Sequence, residues 1–511
     1  METRTQRFLK NVFLGTLFQI ITYIVSFAAR TVFISVLGKE YLGIQGLFLN
    51  ILSLLSLTEL GIGSAITFCL YEPLAQNDVG KIKTLMKCYE KAYRVVALCI
   101  FGLGFALFPF LGFFVKEIPE IRDNISLIYF LFLLNSVLSY LFIYKKTIFT
   151  ADQKEYLNTI VINLSQVVRD ILQLIVLLVT ADYILYLIIQ IVFTVASNLI
   201  ISYKADNMYP YLKDKSCQKL EEKDWNEIKK NIFAMFNHNI GGFLTTGTDN
   251  LLIAKFVSLT SVGVYSNYSL IISIVTRFVN QLAVILTPGI GNLSCTREKQ
   301  QVKKVFEQLF FLDFWLTLNV SIGMFIGFNP FILLWVGAEY LFPIKTVVLI
   351  VIQFYIYNMR TSLQIFRNAL GLYYKDRYKP FVESFINLVV SLILVKYYGL
   401  NGIIIGTIIG FVCTTFWVEP YILFRYYFEF SSKTFFGKYI KLTIFGIVCA
   451  TFSKYLFEYI FVEGWVSLII SLVICILLLN VFLIIVFRKE QNFRSLIERI
   501  RGIKGLRKHG K

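Results

Sequence analysis

Long apolar runs recur along the whole chain, and each could cross, as a helix, a bilayer core of roughly 30 Å, which takes about 20 residues. Lipid offers no partner for backbone N–H and C=O groups, so a run that crosses alone must be helical. Breaks at charge clusters and at Gly or Pro divide the 511 residues into fourteen expected spans. They lie at 11–37, 41–70, 84–115, 123–149, 157–179, 182–204, 229–256, 261–290, 304–336, 341–371, 380–397, 400–424, 437–461 and 464–487. The composition agrees: 57% of residues are hydrophobic and 16% charged, with a mean hydropathy of +0.68. Soluble domains hold about 45–50% apolar and about 25% charged residues. The expected fold class is an all-α integral membrane protein with about 14 transmembrane helices.

A net charge of +18 could suggest nucleic acid as a partner, but the cations follow topology instead. With both termini inside, the expected inner segments hold 38 of the 50 lysines and arginines. The outer ends hold seven, and five arginines remain within spans. This is the distribution that the positive-inside rule demands of a multi-pass protein. The tail from Arg488 lies against anionic lipid or simply anchors the topology. None of the eight cysteines forms a CxxC pair, so neither a disulfide framework nor a metal site is expected. The first run is too long for the apolar core of a cleavable signal peptide. GxxxxGK[ST], HExxH and GxSxG motifs do not occur, so no enzymatic activity is expected and no cofactor beyond a coupling ion, H+ or Na+.

A shift of about 220 residues lays the first six spans over the next six. Leu42-Gly43-Ile44 then meets Val262-Gly263-Val264, and Asn11-Val12-Phe13 meets Asn231-Ile232-Phe233. Pro109-Phe110 falls one residue from Pro330-Phe331, and Asn163-Leu164 meets Asn387-Leu388 after a small gap. The expected organisation is an N-lobe at 1–204, a cytoplasmic loop at 205–228, a C-lobe at 229–424, an added span pair at 425–487 and a basic tail at 488–511. Like-oriented halves of this kind place substrate between them near the midplane.

Ionisable groups inside spans are costly in lipid and mark candidate sites. The arginines are Arg30, Arg169, Arg277, Arg360 and Arg367; the carboxylates at depth include Glu59, Asp170, Asp249 and Asp313. An arginine keeps its charge and grips phosphate through a planar fork. The duplication sets Arg30 beside Asp249, and Glu59 within two positions of Arg277, as gating pairs or as structural pairs within one lobe. The side chains of Arg169 and Asp170, being neighbours, are expected to diverge around their helix, and Arg367 to snorkel. His238, within Asn237-His238-Asn239, could titrate in an ion-coupled cycle or simply pack. Trp335, Tyr340, Trp417 and Trp465 fit interfacial belts.

The stretch from Arg30 to Gly46, with Gly38, Gly43 and Gly46, and the stretch Ser56-Leu-Thr-Glu59-Leu-Gly61-Ile-Gly63-Ser64 carry a family resemblance. So do Thr248-Asp249-Asn250 and the run Val262-Gly263-Val264-Tyr265-Ser266-Asn267-Tyr268. The chain resembles the polysaccharide transporters, the Wzx-type flippases, of the multidrug/oligosaccharidyl-lipid/polysaccharide exporter superfamily. The resemblance implies two pseudo-symmetric six-helix lobes plus a C-terminal helix pair in a bacterial plasma membrane. It implies an undecaprenyl-pyrophosphate-linked oligosaccharide as substrate, flipped by alternating access without ATP. Membrane lipids, and contact with polysaccharide polymerase machinery, are its implied partners. The cationic cavity it implies is carried onto Arg30, Arg277 and Arg360, with Glu59, Asp249 and His238 as gating or ion-coupling candidates. A multidrug/cation antiporter of the same superfamily is the main alternative, and a polysaccharide polymerase or ligase a weaker one.

Overall fold

The computed structural model describes residues 4–59, 62–114, 121–152, 154–214, 225, 229, 248–490 and 493–494. Among them every regular element is helical. In chain order these are α1 (Arg4–Leu55), α2 (Ile62–Gln76), α3 (Val79–Leu107), α4 (Ile125–Phe142), α5 (Lys146–Ala151), α6 (Glu155–Thr180) and α7 (Tyr183–Met208). Then come α8 (Thr248–Leu252), α9 (Leu259–Thr296), α10 (Lys299–Val336), α11 (Ile344–Asn358), α12 (Thr361–Ala369) and α13 (Lys379–Tyr398). The last four are α14 (Leu400–Cys413), α15 (Thr415–Leu423), α16 (Lys433–Ile460) and α17 (Trp465–Phe487).

Eleven helical stretches among the described residues are long and apolar enough to cross a membrane, and a twelfth is formed when Ile125–Leu141 and Ile143–Ala151, bent by 43°, count as one. The expected fourteen differ from this for two reasons. The seventh span, 229–256, lies largely outside the described residues. The first two share α1, which breaks only at Gly38, with φ 82° and ψ −172°. No side chain with a Cβ sits comfortably there, so the break belongs to glycine.

The described residues gather into two compact units that divide between Gly263 and Val264. In the first, α1 packs on α6, α3 on α4, and α7 on both α4 and α6. Tyr129 on α4 meets Phe48 edge to face, with ring centres 5.2 Å apart, and donates 2.8 Å to the Gly104 carbonyl. In the second unit, α10 is the axis against which α11, α12, α16 and α17 pack. A phenylalanine cluster seals it: Phe306 of α10 meets Phe366 of α12 edge-on at 5.3 Å and Phe424 at 5.7 Å. In lipid such packing, rather than escape from water, holds helices together. Trp417 and Trp465 are exposed as a belt requires, but Trp335 and Tyr340 are buried in the protein.

Two breaks interrupt the helices of the second unit. Cys413 ends α14, and Thr414, at φ −124° and ψ −83°, turns the chain into α15. Between α11 and α12 the helix breaks at Met359 and Arg360, with neither proline nor glycine present. A new helix start leaves backbone N–H groups without intrahelical partners. One of these, the Ser362 N–H, donates to the carboxylate of Asp313 on α10. Asp313 stands nine residues past Lys304, roughly 14 Å along the helix. That is about half of a hydrocarbon core.

Candidate functional site

Arg30 lies on α1, beside Tyr183 and Tyr186 of α7. Those two rings, with Phe33 and Tyr41 of α1, pack edge to face at 5.1–5.7 Å. One turn before Arg30, Ser26 donates 2.5 Å to Asp170 Oδ2. Arg169 places Nε and Nη2 3.0 and 2.7 Å from Asp170 Oδ1. The expected divergence of Arg169 and Asp170 is therefore wrong. The long guanidinium arm bends back along the helix and meets its neighbour, which also anchors α6 to α1. Asp249 is buried on α8, a short helix that packs on α1.

Glu59 ends a 3-10 turn and is held by tyrosines of its own unit. Tyr93 of α3 donates to it, and Tyr140 of α4 reaches it as well. The Tyr89 ring meets Tyr93 edge-on at 4.4 Å. Phenols around one carboxylate make a site that can hold charge without a cation, because a hydroxyl can turn a donor toward it. Arg277 lies on α9 with its side chain exposed. His238 falls outside the described residues.

The densest charge cluster is in the second unit. Glu419, on α15, has a side chain only 1% exposed, and its Oε1 accepts from Arg367 of α12 at 3.0 Å and from Lys379 of α13. Arg360 Nη2 stands 3.8 Å from the same oxygen, with its guanidinium over the rings of Tyr357 and Phe411 at 5.7 and 5.8 Å. Arg367 also donates 2.6 Å to Asp376, which precedes α13. Three cations thus share two carboxylates. A third carboxylate, Glu383 of α13, accepts from Tyr357 at 3.0 Å and from Thr415. Arg367 does not snorkel; it is the hinge pin of a cluster that ties α12, α13 and α15 together.

With the geometry in place, comparisons with known proteins locate the chain. Residues 8–294 match the family model described as "Polysaccharide biosynthesis protein", which is more than half of the sequence. The chain belongs to this family. Among curated proteins none matches it by sequence. Its fold is similar to that of a solved structure titled "Lipid II flippase MurJ, inward closed conformation", with a TM-score of 0.69 at 15% identity over 93% of this chain and 99% of that one. It is similar also to an inward-facing multidrug resistance MATE family transporter of the MOP superfamily, with a TM-score of 0.59 at 12% identity over 78% and 94% of the two chains. A point mutant of the Vibrio cholerae MATE transporter VcmN gives 0.56 at 16% over 81% and 97%. Identities this low speak for the fold alone.

Within this polysaccharide biosynthesis family member, the matched stretch takes in Arg30, Glu59, Asp249 and Arg277, while Arg360 lies beyond it. The structure brings Arg360 and Arg367 to one carboxylate, Glu419. It sets Arg30 and Glu59 among separate groups of tyrosines. Reading the sequence for deep charges missed Glu383, Glu419, Lys379 and Asp376. The first two lie inside expected spans, so the signal of a carboxylate at membrane depth was present for both.

Proposed function

We propose that the protein is a flippase that carries an undecaprenyl-pyrophosphate-linked oligosaccharide from the inner to the outer leaflet of a bacterial plasma membrane, for surface polysaccharide synthesis. Translocation runs by alternating access and is driven by an ion gradient, H+ or Na+. Both termini lie in the cytoplasm. The observation that carries this reading is the family match over residues 8–294. A fold shared with a protein titled a lipid II flippase agrees with it.

A diphosphate in a membrane needs cations, since lipid cannot solvate its charge. Arg30 and Arg277 are the proposed headgroup contacts within the family-matched stretch. Arg360 is a third, and in its case binding means exchange: the guanidinium leaves the edge of Glu419, at 3.8 Å already its most distant cation, for a phosphate oxygen. Glu59, Asp249 and His238 are the proposed gating and ion-coupling groups. A multidrug antiporter built on this fold would draw organic cations instead, and cationic side chains in the path would repel them.

The test is complementation of a strain that lacks its own polysaccharide flippase. The wild-type chain is expected to restore surface polysaccharide. Arg30→Ala and Arg277→Ala, inserted at normal levels, should lower it by about tenfold or more, the value of one charge-assisted hydrogen bond. Full export by both variants would overturn the assignment of the headgroup contacts.

A further inference from the structure

Asp313 is a deep carboxylate to which the proposed transport cycle gives no task. It is half-buried in α10, facing a small pocket where α9, α10 and α12 meet. Leu286, Leu309, Leu312, Leu316 and Ile365 line it together with Thr317 and Thr361, its lining surface is mostly apolar, and its free volume of ≈ 10 Å³ leaves room for about one water molecule. Among the described residues no lysine or arginine forms an ion pair with Asp313. Its partner is Ser362, whose backbone N–H donates to it, with the Ser362 hydroxyl alongside. By contrast, the buried carboxylates Asp376, Glu383 and Glu419 of this unit each have either a cation or two hydroxyl donors.

We infer that Asp313 is a proton-binding residue and that its charge sets how tightly α12 is tied to α10. Two opposed forces act on the carboxyl group. An apolar pocket at mid-membrane depth favours the neutral acid. The start of α12, with its exposed N–H groups and positive dipole end, favours the carboxylate. Neither force has a fixed counter-ion to overrule it. Admitting water to the pocket tips the balance to the carboxylate, and excluding water tips it to the acid. A conformational cycle that opens and closes this pocket would therefore take up and release a proton here. Protonation turns one oxygen into a donor and removes the charge from the bond to Ser362, which weakens it. The tie between α12 and α10 then loosens, and α12 carries Arg367 with Arg360 at its start.

Other titratable groups on the packed elements do not compete for this role. Arg360 and Arg367 spend their charge on Glu419 and Asp376. On α11, Tyr355 is bonded to Thr443 of α16. On α16, Tyr439 packs on the Phe310 and Phe416 rings, Lys438 pairs with Glu490, and Lys454 with Glu458. Lys433 and Lys441 of α16 and Arg425 before it are exposed. On α17, Cys475 points its thiol at the Ser453 carbonyl. On α9 and just past it, Arg277 and Arg297 are exposed, and along α10 the nearest charge, Glu307, stands six residues before Asp313; none of these groups forms a bond or an ion pair with Asp313.

The place of this proton in transport rests on the proposed function, whereas the binding itself does not, so two measurements are paired. Infrared titration of the purified full chain in lipid nanodiscs should show a protonated carboxyl band that fades as pH rises and is missing from Asp313→Asn. In the same samples, amide exchange at Ser362–Gln364, corrected for its intrinsic pH dependence, should quicken several-fold at acid pH in the wild type and stay flat in the variant. An identical band in both proteins, or an unchanged pH response of α12 in the variant, overturns the inference. If Asp313→Asn fails to accumulate, a flat wild-type exchange profile overturns it equally. Titration and loosening seen in a protein that moves no lipid-linked sugar would uphold the proton site and sink only the substrate.

Discussion

Glu419 shows what a single side chain does in this setting. Its carboxylate lies between Arg367 and Lys379 with almost no exposure, and each of the three has been taken out of water. The pairing need not be a net gain over apolar packing, but removing one partner strands the others. Glu419→Ala would take away the carboxylate that the three cations share, and the cost should be about 3–5 kcal/mol. A thermal unfolding scan in detergent should show this as a clear drop in the melting temperature, larger than that of Glu419→Gln, which still accepts hydrogen bonds. A variant that melts with the wild type would show that these charges are not coupled. Of the charges in this cluster the sequence made Arg360 and Arg367 visible, because arginines within an apolar run stand out. Their partners were harder to see. Asp376 in the connection before α13 and Lys379 at the first position of α13 read as an ordinary polar turn, and only the packing of that connection on α15 brings them to Glu419. Arg169 and Asp170 failed in the opposite sense: helix geometry separates adjacent Cβ atoms, but the arginine arm is long enough to defeat it.

Among the helices, α13 and α14 form the tightest pair, joined through Gly399 at φ 55°. Gly402, Gly406 and Gly410 line one face of α14 at helical spacing and lie against α13. A Cβ on Gly406 would come within 2.8 Å of the Ser391 backbone nitrogen, and one on Gly410 within 3.0 Å of the Glu383 carbonyl. Small residues at four-residue spacing allow this approach. Gly406→Leu is expected to abolish the close packing and most of the monodisperse protein on size exclusion. Gly323→Ala is the contrast: there the nearest atom, on Ile476, stands 4.0 Å away, so the substitution should be neutral or slightly stabilising. Equal yields of the two variants would contradict the packing. Most of the long apolar helices were legible in the sequence, since run length and charge clusters mark them, but the first two expected spans run together in α1. The break between α11 and α12 was not legible. It carries no proline or glycine, and the residue that caps the new helix start from outside, Asp313, lies nearly fifty residues earlier in the chain.

For the whole molecule, the described helices form two compact units whose fold is similar to solved flippase and multidrug exporter structures. The family match ties the chain to polysaccharide biosynthesis. Physical chemistry adds the requirement that an anionic headgroup crossing lipid must meet cations, the part proposed above for Arg30 and Arg277. Reconstitution into sealed liposomes tests this most directly. A labelled polyprenyl-diphosphate oligosaccharide is placed in one leaflet, an ion gradient is applied, and arrival in the other leaflet is followed by a membrane-impermeant glycosidase or quencher. Gradient-dependent movement, cut about tenfold or more in Arg30→Ala, is the result expected. Liposomes that leave the labelled lipid in place, yet pump a cationic dye, would contradict it.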